Sequence, residues 1–101
     1  MRRIRCVRKP VEVEVLEVTK AELKELFEKN PVSISDSDNE WLAIECGNDE
    51  FVGYIAGEID DIGNKDKIAD LWFINKHYFV KNYEIKEENW KIWKHINLKM
   101  L

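Results

Sequence analysis

The chain has 101 residues, 45% of them apolar and 36% charged, with a formal net charge of −4. This balance predicts one soluble globular domain over residues 1–101 and excludes a disordered chain. The apolar runs are too short for a membrane-spanning helix or a signal peptide, so we expect a cytoplasmic location.

Charge is distributed unevenly along the chain. No lysine or arginine occurs between Lys29 and Lys65, whereas nine acids do. The formal charge is therefore +2 over residues 1–29, −9 over 30–64 and +3 over 65–101. A surface of uniformly negative charge repels nucleic acid and attracts basic proteins. We therefore expect a basic protein, and not nucleic acid, as the main partner.

A strand is predicted at the start of the chain, because the four valines between positions 7 and 15 share one parity. The valines are expected in the core and the alternating glutamates in solvent. The alternation of apolar residues changes from odd to even positions at Leu16, and a bulge or the end of the strand near there would explain this change. Pro10 makes this an edge strand or marks its beginning. Arg2, Arg3 and Arg5 suit either a phosphate backbone or the acids of a neighbouring strand.

A helix is predicted over residues 20–29. Thr19 and Glu22 have the spacing of a capping box, in which each side chain accepts a hydrogen bond from the backbone amide of the other. The Asn-Pro pair at positions 30 and 31 ends the helix. A helix this short needs its apolar face packed on the sheet. That face consists of Leu23, Leu26 and Phe27.

The acid-rich middle of the chain predicts a loop and a hairpin. Residues 32–40 are rich in serine and aspartate, which favour turns. Residues 41–46 and 51–56 have the composition of strands, and the turn between them is predicted at 47–50.

The next segment predicts further strands. Residues 57–66 are expected to form a loop with a turn at the Gly-Asn pair, and 68–74 a strand. Residues 76–82 fit either a hairpin arm or a helical turn, and 83–85 a short strand.

The C-terminal segment fits two forms. As a helix it begins with acids and continues with lysines, which suits the helix dipole. As a strand its even-numbered apolar residues from Trp90 to Met100 share a parity, which Lys94 interrupts. We favour the helix. The predicted fold class is α+β: a small, mostly antiparallel sheet with one capped helix packed on it and a C-terminal helix.

Candidate catalytic and metal-ligating residues are few. Cys6, Cys46, His77 and His95 are far apart in sequence and lack the close pairs of a zinc site. The run DSDNE resembles a calcium loop, but Trp41 stands where that loop needs glycine. We predict buried reduced thiols, surface histidines, no metal or cofactor, and no enzymatic activity.

Three segments carry a resemblance to a known family. Residues 8–15 (RKPVEVEV) resemble the opening R-K-K-P-V-x-V-E-A of short proteins encoded by phages and prophages. Residues 69–74 (ADLWFI) are similar to the P-G-D-Y/W-I/L-I strand of that family, without its P-G. Residues 79–84 (FVKNYE) are similar to its closing F-E-x-x-Y-E. The family has no established activity, so the resemblance implies a phage-accessory origin and no catalytic residues.

These observations together predict a non-enzymatic phage or prophage accessory protein that binds a basic host protein through an acidic face. The most specific form is an inhibitor of a host defence nuclease, of the anti-CRISPR kind, whose carboxylates occupy a nucleic-acid channel. The alternative is a virion or assembly accessory protein that self-associates through its Trp-rich tail. In that case the protein would form a homo-oligomer.

The aromatic residues are divided between the core and the binding surface. Trp41 and Trp72 are assigned to the core, whereas Tyr54 and the tail tryptophans are candidate contacts. The predicted partner-binding residues are Asp36, Asp38, Glu40, Asp49, Glu50, Tyr54, Asp60, Asp61, Trp90 and Trp93.

Overall fold

The structure is a computed structural model that describes residues 1–8 and 11–85. Within these residues it has a six-stranded mixed sheet, three α-helices and one 3-10 helix, which confirms the α+β class. The strands lie in the order β3-β5-β4-β2-β1-β6, and only the β3–β5 pair is parallel. The strands are β1 (Arg2–Arg8), β2 (Val11–Thr19), β3 (Val32–Ser33), β4 (Phe51–Gly57), β5 (Leu71–Asn75) and β6 (Glu84–Ile85). The α-helices are α1 (Lys20–Lys29), α2 (Asp36–Glu45) and α3 (Lys76–Asn82).

The sheet is covered on both faces, and each face has its own apolar cluster. The first cluster lies under α1 and α2 and includes Leu16, Leu23, Leu42 and Phe73. The second cluster lies under α3 and consists of Ile4, Cys6, Val15, Tyr54, Ala56, Ile74 and Phe79.

This double coverage corrects the interpretation of the N-terminal strand. The chain forms two antiparallel strands, β1 and β2, whose register is unbroken from Arg2–Glu17 to Arg8–Val11. The phase change at Leu16 is not a strand end, because β2 continues to Thr19, and the β1–β2 register has no bulge there. The β2–β4 register does shift nearby, between Val18 and Thr19. Val15 faces the second cluster and Leu16 the first, so apolar residues of both parities are buried. Val11, predicted to be in the core, is 58% exposed.

The helix α1 forms as predicted. The Thr19 hydroxyl accepts a hydrogen bond from the Glu22 amide at 3.2 Å, and the Glu22 carboxylate accepts one from the Thr19 amide at 2.9 Å. Leu23 and Leu26 are buried, but Phe27, predicted on the same face, is exposed. The apolar stripe that contacts the sheet is therefore narrower than predicted.

The loop and strand predicted over residues 32–46 are wrong, because residues 36–45 form α2. The Ser35 hydroxyl caps this helix by accepting a hydrogen bond from the Asp38 amide at 3.1 Å. Leu42 is buried in the first cluster, and Trp41 packs partly against it. The apolar run WLAIEC does not distinguish a strand from a helical segment by periodicity alone. The strand β4 accordingly pairs with β2 and β5 and not with residues 41–46.

The remaining elements agree more closely with the sequence. Residues 57–66 contain a 3-10 helix at Ile59–Asp61 and a turn at Gly63, whose φ is +83°. The strand β5 begins at Leu71, residues 76–82 are helical, and β6 forms where a short strand was predicted. The predicted C-terminal helix, His95 and the tail tryptophans Trp90 and Trp93 lie outside the described residues.

Candidate protein-binding surface

The nine acids of residues 30–64, the segment without lysine or arginine, lie in three separate parts of the fold. Asp36, Asp38 and Glu40 lie on α2, together with Glu45. Asp49 and Glu50 lie in the turn before β4, and the last group, Glu58, Asp60 and Asp61, follows β4. The sequence predicted that these acids form one face. In the structure they form three groups, which differ in the charged side chains that surround them.

The acids after β4 are paired with cations. The Asp60 carboxylate lies 2.7 Å from the Arg3 guanidinium, and the Asp61 carboxylate lies 3.1 Å from the Lys67 ammonium. Lys67 also binds Glu58. The Lys67 ammonium, helped by the Asp70 amide, lowers the pKa of the Glu58 carboxyl below its usual range. Asp60 thus shares Arg3 with Glu14, and Glu58 and Asp61 share Lys67, so these acids are weaker candidates for partner contacts.

The turn between α2 and β4 supports the fold through its backbone. The Glu50 carbonyl accepts a hydrogen bond from the Lys20 amide at 3.1 Å, and the Asn48 carbonyl accepts one from the Ala21 amide at 3.0 Å. These carbonyls satisfy amides at the start of α1 that have no partner within the helix. The Glu50 carboxylate is itself 3.5 Å from the Lys76 ammonium.

The acids on α2 lack ion pairs of this kind within the described residues, although Asp36 and Asp38 lie in the first turn, where the helix dipole favours an acid. Asp36, Glu40 and Glu45 are exposed, and none of them forms an ion pair with any residue in 1–8 or 11–85. Asp38 is half-buried and accepts a hydrogen bond from the Asn75 side-chain amide at 3.0 Å. Glu45 lies in the last turn, where the helix dipole favours a cation and α2 has none.

Two apolar side chains lie among these acids. Ile44 is 73% exposed, and Trp41 is half-buried with the Lys76 ammonium 5.9 Å from its ring centre. A shallow depression of about 390 Å³ runs along this side of the helix. An apolar centre inside a polar rim is the usual arrangement of a protein interface. We call this surface the α2 patch; it comprises Asp36, Ser37, Glu40, Trp41, Ile44 and Glu45.

Two aromatic predictions are wrong. Tyr54, predicted as a partner contact, is buried in the second cluster, and its ring stacks on Phe79 with 3.8 Å between centroids. Trp72, predicted in the core, is 49% exposed. In the register of β4 and β5, Trp72 lies opposite Ala56, a residue of the second cluster, near the end of β4 and the beginning of β5. The helix α3 covers only part of this face.

The cysteines are structural. Cys6 and Cys46 are both free and buried, in different clusters, which confirms the prediction of reduced core thiols. Burial raises the pKa of the Cys6 thiol to about 11, and that of Cys46 also lies above its usual value, chiefly because of burial. Raised pKa values disfavour the reactive thiolate.

Other predicted features can be located as well. His77 is exposed and lies edge-on to the Trp41 ring, with 5.7 Å between centroids. Across β1 and β2, Arg2 pairs with Glu17 at 2.8 Å and Arg3 with Glu14 at 2.9 Å, so arginines do neutralise acids of the neighbouring strand. No group of three or more potential metal ligands lies together within the described part of the chain. None of the helices described there has the length and hydropathy to cross a bilayer.

No family model, curated protein or solved structure matches the chain. The functional assignment therefore depends on the surface. The sequence did not single out Ile44, although it follows Asp36 and Glu40 at four-residue intervals. That spacing would have identified the patch once residues 36–45 were recognised as a helix.

Proposed function

We propose that the protein is a non-enzymatic binding protein whose α2 patch engages a basic surface of another protein. The supporting observation is that the exposed carboxylates of α2 surround an exposed isoleucine and have no ion-pair partner in the described residues. The negative charge of Glu45 interacts unfavourably with the dipole of α2, because it lies in the last turn of that helix. Residues that oppose local stability are characteristic of functional sites.

Binding at this patch would combine two effects. The carboxylates raise the rate of encounter with a basic partner, and this contribution falls as salt screens it over about 8–10 Å. Ile44 and Trp41 become buried in the complex and slow its dissociation, because aromatic and aliphatic anchors hold most interfaces together.

The most specific form of this proposal is an inhibitor of a host defence nuclease, of the anti-CRISPR kind. In that form the carboxylates Asp36, Glu40 and Glu45 occupy positions that nucleic-acid phosphates take in a basic channel. The support is that Asp36, Glu40 and Glu45 form no ion pair within the described residues, together with the resemblance to phage-encoded chains. Asp49 extends the same charge beyond the end of the helix, since it is also exposed and unpaired among the described residues.

The test is a capture experiment with matched charge reversals. Glu40→Lys/Glu45→Lys reverses the formal charge of the α2 patch from −3 to +1, whereas Glu25→Lys/Glu28→Lys makes the same four-unit change on the exposed face of α1. We expect the first variant, and not the second, to lose the partner captured from host lysate, and the association rate of wild type to fall with salt. A captured nuclease should also lose its nucleic acid when wild type binds.

A third variant distinguishes the alternative function. Trp90→Ala/Trp93→Ala should impair binding or self-association if the tail drives a virion or assembly role. If the α2 reversals retain every partner of wild type and binding does not respond to salt, nucleic-acid mimicry is rejected.

A further inference from the structure

A groove lies on the face of the sheet that carries the second cluster, where β2 separates from β4. The β2–β4 ladder ends at Leu16 and Ile55, whereas the β1–β2 ladder continues to Val11. The groove beside this part of β2 has a volume of about 680 Å³, which is in the range of about 300–1,000 Å³ that holds a small ligand. We call it the open groove; its apolar lining consists of side chains of β2, β4 and β5, namely Val11, Val13, Val15, Ala56, Trp72 and Ile74.

The indole ring of Trp72 forms part of this apolar lining. Gly57 has a φ of +109°, and a Cβ atom there would lie 2.4 Å from the Asp70 carbonyl oxygen and 3.0 Å from Cζ3 of the Trp72 ring. Only glycine allows the end of β4 to approach this backbone and this ring so closely. Within the described residues Trp72 is 49% exposed and Val11 is 58% exposed. The groove therefore offers apolar surface that a ligand can cover.

A guanidinium group belongs to the same lining. Arg8 shares the parity of Ile4 and Cys6 in β1, so it lies on the face of the second cluster. Its guanidinium donates a hydrogen bond to the Tyr78 hydroxyl at 2.9 Å and one to the Tyr83 hydroxyl at 3.4 Å. The guanidinium carbon also lies 5.7 Å and 5.5 Å from the centres of these two rings. These contacts position the charge of Arg8 beside the groove.

Arg8 and the two tyrosines form a set of hydrogen-bond donors suited to an anion. A guanidinium has five N–H donors, and the tyrosine hydroxyls accept from two of them. A hydroxyl that accepts a hydrogen bond can still donate its own proton to a further acceptor. Arg8 forms no ion pair with any carboxylate in residues 1–8 or 11–85. A carboxylate matches the planar fork of such a guanidinium.

The acids that line the open groove are paired with other arginines. The Glu14 carboxylate lies 2.9 Å from the Arg3 guanidinium and 3.9 Å from that of Arg5, and the Asp60 carboxylate lies 2.7 Å from Arg3. The two arginines and the two acids therefore sum to a formal charge of zero. Arg8 adds one positive charge, so the lining with its ion-pair partners has a charge of +1. This balance favours an anion over a cation as the ligand.

We propose that the open groove binds a small aliphatic carboxylate. Its head group accepts hydrogen bonds from the Arg8 guanidinium and from the hydroxyls of Tyr78 and Tyr83, which gives these donors the anion that they suit. Its aliphatic chain covers Val11 and the Trp72 ring, which removes apolar surface from water. The groove and α2 lie on opposite faces of the sheet, so this site is independent of the α2 patch.

NMR titration of the full chain with octanoate tests this proposal. Octanamide keeps the aliphatic chain without the charge, and acetate keeps the carboxylate without the chain. We expect octanoate to shift the methyl resonances of Val13 and Val15 but not those of Leu23 and Leu42 in the first cluster. It should also bind roughly tenfold more tightly than either control, because charge-assisted hydrogen bonds are strong. Equal affinities for octanoate and octanamide would overturn the proposal, as would shifts in both clusters or in neither.

A pair of matched variants identifies the group that holds the carboxylate. Arg8→Gln removes the guanidinium at the groove, and Arg5→Gln makes the same one-unit change of charge on the same strand but on the opposite face. We expect Arg8→Gln to weaken octanoate binding roughly tenfold and Arg5→Gln to leave it nearly unchanged. Octanoate binding that Arg8→Gln leaves as tight as in wild type would overturn the proposal. If circular dichroism shows that Arg8→Gln is unfolded, the comparison of octanoate with octanamide on wild type decides.

Discussion

Glu45→Lys should stabilise the protein and weaken partner binding at the same time. Glu45 lies in the last turn of α2, which has no basic residue, and forms no ion pair within the described residues. A lysine at this end of a helix interacts favourably with the dipole by about 0.3–1 kcal/mol. For a slope of about 1.5 kcal/mol per molar urea, the unfolding midpoint should rise by roughly 0.2–0.7 M.

The assay is urea unfolding followed by circular dichroism, with the association rate measured on the same samples. Glu28→Lys is the control, since Glu28 lies in the last turn of α1 beside Lys29 and outside the α2 patch. Both variants should be at least as stable as wild type, and only Glu45→Lys should associate more slowly with the partner. A fall in the unfolding midpoint of Glu45→Lys would show that this carboxylate supports the fold, which would refute the argument that it is retained for binding.

Four further predictions concern the fold and its ion pairs. Thr19→Ala removes half of the capping box and should lower the free energy of unfolding by about 1 kcal/mol in denaturant titration. Phe79→Ala removes the buried ring that stacks on Tyr54, and should cost about 3–5 kcal/mol in the same measurement; a loss below 1 kcal/mol would contradict its role in the second cluster. In an NMR titration, the pKa of the Glu58 carboxyl should lie below the usual glutamate value, and in Lys67→Met it should return toward that value. Because folding lowers this pKa, the Glu58–Lys67 interaction stabilises the protein above the unfolded pKa, and the stabilisation is lost as the pH falls through the folded pKa. Cys6, whose pKa burial raises to about 11, should react with a thiol reagent in urea but scarcely in the native state, and rapid native labelling would disprove its burial.

Local interactions explain which predictions succeeded. The capping box joins residues three apart, and its hydrogen bonds depend only on the helix that they begin, so the start of α1 could be predicted. The start of α2 has a similar spacing, with Ser35 three residues before Asp38, but there it lies among residues that also favour turns. Its cap is a single serine in a run of turn-forming residues, and only Leu42 of the helix is fully buried. A helix with so small a buried face resembles a loop followed by a short strand.

Burial on two faces of a sheet is harder to predict from one strand. The change of phase between Val15 and Leu16 was visible in the sequence, but its cause depends on what covers each face. A strand covered on both sides loses the alternation from which strands with one buried face are predicted. The exposure of Trp72 has a similar origin, because it depends on how far α3 extends over the sheet.

The sequence by itself determined the separation of charge, the reduced state expected of the thiols and the position of the first helix, since these depend on composition or on neighbouring residues. Only the tertiary structure decided which acids remain uncompensated. Arg3 meets Asp60 across 57 positions of sequence, whereas Glu40 and Glu45 meet no cation in the described residues. Ion pairs between such distant positions form only when strands and loops pack together, so they cannot be predicted from the pattern of neighbouring residues in the sequence.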